Sequence, residues 1–196
     1  MKNLSRFIAL LAVLTLSSAA LKAQETLKDW ESIDEITIYR YLSYSEIGTL
    51  YILPADESVC EFHDDKEKVN KQVADQMAKF RPMIQKACKK LNVQLVDSKP
   101  ANLEANDLVM NIKYVKYDLG SRAARVWAGF GAGHAETTVN FTVRDAQGNM
   151  VFDATQEHLG GGNPFEDMRY HKILEDLHKN FAKDIANIFA GMDKKK

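Results

Sequence analysis

Residues that could do chemistry gather in one stretch, Leu119 to Gly133, which reads Leu-Gly-Ser-Arg-Ala-Ala-Arg-Val-Trp-Ala-Gly-Phe-Gly-Ala-Gly. Arg122 and Arg125 can clamp a carboxylate or phosphate, because the planar guanidinium matches such anions with two parallel hydrogen bonds. They can equally pair with acids of the same domain. Trp127 and Phe130 belong to the residue types enriched at the centres of protein interfaces, and burial against the fold is their competing role. Gly120, Gly129, Gly131 and Gly133 allow backbone shapes closed to other residues. The run Gly129 to Gly133 does not read as a phosphate loop. Such loops hand the anion to a helix N-terminus, and here strand-like sequence follows.

Other constellations are weaker. His171, Glu175 and His178 share one helix face at spacings of four and three. A metal would need another ligand from elsewhere, and neither HExxH nor a paired-cysteine pattern exists, so no metal is expected. His63, Asp64 and Asp65 read as a solvated helix start, and no GxSxG elbow occurs. Cys60 and Cys88 are too far apart for a CxxC redox site. Catalysis has no positive signal, and no cofactor is expected.

The first residues fix the compartment in which those cysteines are read. Lys2 and Arg6 precede an apolar run from Phe7 to Leu16, and small residues follow at Ser17 to Ala20. That run is shorter than the roughly 20 residues a membrane-spanning helix needs and matches a cleaved secretory signal. Cleavage is expected after Ala23, which makes residues 1–23 a signal peptide and residues 24–196 one domain. No cysteine lies near the site, so there is no lipobox, and the expected location is the periplasm. In an oxidising compartment a Cys60–Cys88 disulfide is the natural reading, with two buried thiols as its competitor. Losing Lys2, Arg6 and Lys22 and no acid moves the formal net charge from −1 to −4. Nucleic-acid binders are usually basic, so that class is not expected. The length fits a single core of useful size.

The elements that must position the loop follow from periodicity. Residues Gln24 to Asp34 are mostly polar, and Leu27, Trp30 and Ile33 suggest a helical turn or an irregular arm. Glu35 to Leu42 and Thr49 to Leu53 are strand-like, rich in β-branched and aromatic residues. Val69, Val73, Met77, Phe80, Ile84, Cys88 and Leu91 form one face of a helix, with a kink expected near Pro82. Val93 to Val96 is a short strand. Leu108, Met110, Ile112 and Tyr114 form a core face, as do Thr137, Val139, Phe141 and Val143 in the best strand of the chain. Alternation of that kind implies one solvated sheet face. Asp145 to Asn149 is a hairpin turn with Gly148 free to take positive φ. After Gly160–Gly162, a helix is expected from about Pro164 to Ala190, stopped by Gly191. The fold class is therefore α+β, a mixed, mostly antiparallel sheet with two long helices on one face.

The loop, the alternating strand and the hairpin together resemble the bacterial domain-of-unknown-function family 4410. Its members commonly show a Gly-Ser-Arg-x-x-Arg start, a Gly-Phe-Gly-x-Gly close and an Asp-x-x-Gly hairpin. The resemblance is strongest over residues 107 to 155. It implies an exported envelope protein and no established enzyme activity. The expected function is a non-catalytic periplasmic module that binds another envelope component through the loop at 120–133. The alternative is a small-ligand or anion-binding protein using Arg122 and Arg125, and a hydrolase comes third. An exposed aromatic pair favours the first, a concave arginine-lined pocket the second, and converging groups of shifted pKa the third.

Overall fold

The structure, a computed structural model, describes residues 25–30, 33–58, 67–118, 135–160 and 170–196. Its strands are β1 (Glu25–Trp30), β2 (Ile33–Ile38), β3 (Thr49–Ile52), β4 (Asn92–Leu95), β5 (Leu108–Asp118), β6 (Ala135–Asp145) and β7 (Met150–Gly160). Helix α1 is Glu67–Ala87 and α2 is Tyr170–Lys195. The strands form one sheet in the order β1-β2-β7-β6-β5-β3-β4. β3 is parallel to both β4 and β5, and the other pairs are antiparallel. The α+β class and the mixed, mostly antiparallel sheet are as the sequence implies.

The alternating pattern of β6 sets the layers. Val139, Phe141 and Val143 are buried, while Glu136, Thr138, Asn140, Thr142 and Arg144 on the other face are not. Both helices pack on the buried face, since Phe80 of α1 and Phe181 of α2 each touch Phe141. In β5 the register slips between Tyr114 and Lys116. Val115 drops out of the pairing, so Tyr114 and Tyr117 both face the helices despite their three-residue spacing. Gly148 takes φ +90° in the β6–β7 turn, which only glycine adopts without strain. Asp145, itself buried, accepts hydrogen bonds from the backbone N–H of Gln147 and of Asn149 there.

Some details differ from expectation. Residues 25–30 form an edge strand paired to β2 rather than a helical turn or an irregular arm. Side-chain spacing gives no strand signal there, but β2 would otherwise leave its outer backbone groups unpaired. α1 continues through Pro82 as one helix, as its periodicity implies. α2 runs past Gly191 to Lys195, because Gly191 and Met192 are buried and the contact with the sheet carries the helix on. β7 runs from Met150 to Gly160. A Cβ on Gly160 would lie 2.6 Å from Ile173 Cγ2, so this glycine lets α2 approach the strand.

The register makes a direct prediction. Phe141→Ala removes a fully buried ring and is expected to cost about 3–5 kcal/mol, whereas Thr142→Ala on the opposite face is expected to be nearly neutral. Urea unfolding of the two variants checks the pair, and equal losses would contradict the register.

Candidate functional site

The candidate loop connects β5 and β6, two of the three longest strands in the sheet. β5 and β6 stay paired out to Asp118↔Glu136, and Lys116 forms an ion pair with Glu136 close to that end. β7 keeps pace to Ala135↔Gly160. Register therefore brings Asp118, Ala135 and Gly160 to one end of the sheet, and the Trp30–Ile33 pair of β1 and β2 belongs to that end too. Arg122, Arg125, Trp127, Phe130, Gly120, Gly129, Gly131 and Gly133 lie outside the described residues, as does Cys60. The structure thus fixes the base of the loop and leaves its tip undescribed.

Cys88 is described, and it is a free, buried thiol. The bond expected to Cys60 is therefore not formed at this residue. Burial pushes the thiol pKa up to about 12, which suppresses the reactive thiolate. The side chain sits on the apolar face of the helical periodicity, so packing rather than pairing accounts for its position.

The histidine face separates under the structure. His178 is wholly buried, with its ring stacked on Phe80 at 4.7 Å and its Nε2 2.9 Å from the Tyr114 hydroxyl. Burial lowers its pKa to about 4, against a smaller opposing pull from the Gln76 backbone. The neutral ring shares a hydrogen bond with the Tyr114 hydroxyl at Nε2. Glu175 instead pairs with Lys179 at the surface. The side chain of His171 lies outside the described residues. Among the described residues no group of three or more histidine, cysteine or acidic side chains is placed to hold a metal ion.

A further histidine contact has no counterpart in the sequence pattern. His158 Nε2 lies 2.6 Å from Asp184 Oδ2, joining β7 to α2, and the imidazole meets the edge of Phe181 at 4.6 Å. A carboxylate that orients an imidazole is one half of a nucleophile-activating arrangement. The described thiol, Cys88, is near Tyr44 at the far end of the helix pair, so the pair has no partner in it. Two buried oxygens close to this layer, Gln76 Oε1 and Thr137 Oγ1, have no hydrogen-bond partner among the described residues. Each such group costs about 1–3 kcal/mol. No sequence signal could have found the His158–Asp184 contact, since the two residues are 26 apart and on different elements.

A family model for a domain of unknown function, DUF4410, matches residues 16–160. The chain belongs to this family. The DUF4410 match takes in the whole connection between β5 and β6 and ends at Gly160, before α2. No curated protein matches the sequence. Among solved structures, a dodecameric PelC variant from Paraburkholderia phytofirmans is 10% identical, with a TM-score of 0.40 over 74% of this chain and 94% of that one. A Helicobacter pylori protein, described as a homolog of a neuraminyllactose-binding hemagglutinin, is 6% identical, with a TM-score of 0.44 over 76% and 91% of the two chains.

Both buried groups can be tested in solution. Native protein is expected to leave Cys88 unreacted with a thiol reagent such as Ellman's, and unfolding without reductant to expose it. Rapid native labelling, or a blocked Cys88 after unfolding, would contradict the free buried thiol. His178 has its pKa lowered from 6.5 to about 4 on folding, so the unfolded chain binds the extra proton between those values. Stability from this group is complete above about pH 6.5 and falls as pH drops towards about 4, by about 3 kcal/mol in all. His178→Gln, which keeps an uncharged hydrogen-bonding partner for Tyr114, is expected to flatten that part of a stability-against-pH curve.

Proposed function

We propose that this protein is an exported, non-catalytic interaction module of the bacterial envelope, and that it binds another envelope component through the loop at 120–133. The observation that supports this reading is the β5–β6 hairpin. It is paired over nearly its whole length and braced by β7, so it delivers both ends of the connection from a rigid base. Functional loops are commonly carried in this way by a rigid scaffold. A connection this long is uncommon in a compact domain unless it has a role of its own. Arg122, Arg125, Trp127 and Phe130 supply the side-chain types that anchor interfaces.

On this reading residues 1–23 are removed during export, and the mature chain begins at Gln24. Intact-mass measurement of the protein recovered from the periplasm checks that step.

The decisive experiment replaces Arg122, Arg125, Trp127 and Phe130 together with alanine. A recognition loop contributes little to the fold, so the melting temperature is expected to stay within a few degrees. A photocrosslinker placed at position 123 is expected to trap a discrete partner in cells, and the same probe in the quadruple variant to trap none. If the aromatics are instead core, the variant is expected to lose about 10 °C or more. A loss of that size, with crosslinking retained by the folded fraction, would overturn the proposal.

A further inference from the structure

The end of the molecule away from the loop carries a different feature. We propose that the cleft between the C-terminal end of α1, with the residues that follow it, and residues 186–190 of α2 binds a small anionic amphiphile, a single apolar group bearing a carboxylate or phosphate head. Higher in the helix pair the interior is filled by large residues, Phe80 and Ile84 of α1 and Phe181 and Ile185 of α2, all fully buried. Towards the C-terminal ends the lining includes Ala87, Ala186 and Ala190, and these small side chains leave a cleft of about 200 Å³. Phe189 and Leu91 line its inner part, and both are buried. An apolar cavity of about 150 Å³ is enough to take a benzene-sized guest. Space and lining therefore suit one short aliphatic or aromatic group.

The rim selects the head. Lys89 and Lys90 line the cleft and are exposed. The Lys90 ammonium stands 5.0 Å from the centre of the Tyr44 ring, which holds this charge at the mouth. Neither lysine forms an ion pair with the described residues. Asn187, also on the lining, adds an amide that can hydrogen-bond an oxygen. An apolar interior beneath two lysines outside any ion pair among the described residues is complementary to an amphiphile with an anionic head and poorly matched to a neutral or cationic one. Because the cleft lies beside Tyr44, this inference stands independently of the loop.

The test uses the full chain and two soluble probes, octanoate and 1-octanol, followed by amide chemical shifts. Octanoate is expected to move signals of residues 87–91 and 186–190 and to bind at least tenfold more tightly than octanol. Lys89→Gln and Lys90→Gln are each expected to weaken octanoate about fivefold, the scale of one lysine near an anionic surface. Ala186→Leu fills the cleft and is expected to abolish binding with the melting temperature unchanged or raised. Ala190→Leu serves the same purpose should that variant not fold. Sedimentation with phosphatidylglycerol vesicles, compared with phosphatidylcholine, separates the sources. Pelleting that both the lysine and the filling variants abolish assigns the head to a membrane lipid, whereas octanoate binding without pelleting assigns a free amphiphile. Shifts scattered away from the cleft, equal affinity for octanol, or undiminished binding by a folded filled variant would each overturn the proposal. So would the absence of both octanoate binding and pelleting.

Discussion

Phe80 is the contact on which the two layers depend. Its ring, fully buried, meets Tyr114 of β5, Phe141 of β6, and His178 and Phe181 of α2. One side chain of α1 thus ties together the centre of the sheet and the neighbouring helix. Aromatic groups of this size dominate core energetics, and tilted or stacked pairs add to what area burial alone provides. The polar Tyr114–His178 bond sits inside this cluster, so the hydrophobic contact also determines that the imidazole stays neutral. Packing and proton chemistry are coupled here through a single ring.

The same cluster explains what the histidines are for. By spacing alone, His178 belongs to a solvent-facing helix stripe with His171 and Glu175. The structure turns it inward, because α2 presents Leu174, Leu177, His178 and Phe181 to the sheet as one continuous buried face. A histidine in that face costs little while it remains uncharged and shares its hydrogen bond with Tyr114. His158 meets Asp184 at the side of the cluster, where the imidazole is only partly covered. Each imidazole therefore fastens a strand to α2, His178 through Tyr114 of β5 and His158 through its own place on β7.

Much of this is legible in the sequence, and the reasons are specific. Thr137, Val139, Phe141 and Val143 alternate strictly, so their common face can be read at once, and all four are buried. Val73, Met77, Phe80, Ile84, Cys88 and Leu91 repeat at helical spacing and are likewise buried. What cannot be read depends on distant partners. The strand character of residues 25–30 comes from the edge of β2, not from its own pattern. Tyr117 reaches the core only because Val115 bulges out, which breaks the alternation that a reader of β5 would follow. For the candidate site, the sequence singles out the loop residues, and the structure supplies the base on which they stand. The His158–Asp184 contact and the helix-end cleft depend on packing between elements, for which no local pattern exists.

The sheet order has a kinetic side. β2 lies near the start of the domain, yet its inner neighbour is β7, and Asp34 donates its backbone N–H to Gln156 across 122 residues of chain. An early strand thus lies beside a late one, and the gap between β2 and β7 cannot be closed until most of the chain is present. Folding rates fall as contacts become more distant in sequence. β2 must then wait, paired on its outer side to β1, for β7 to emerge. During that interval the inner edge of β2 is open to pairing with other chains, so the fold's slow step is also its period of greatest aggregation risk.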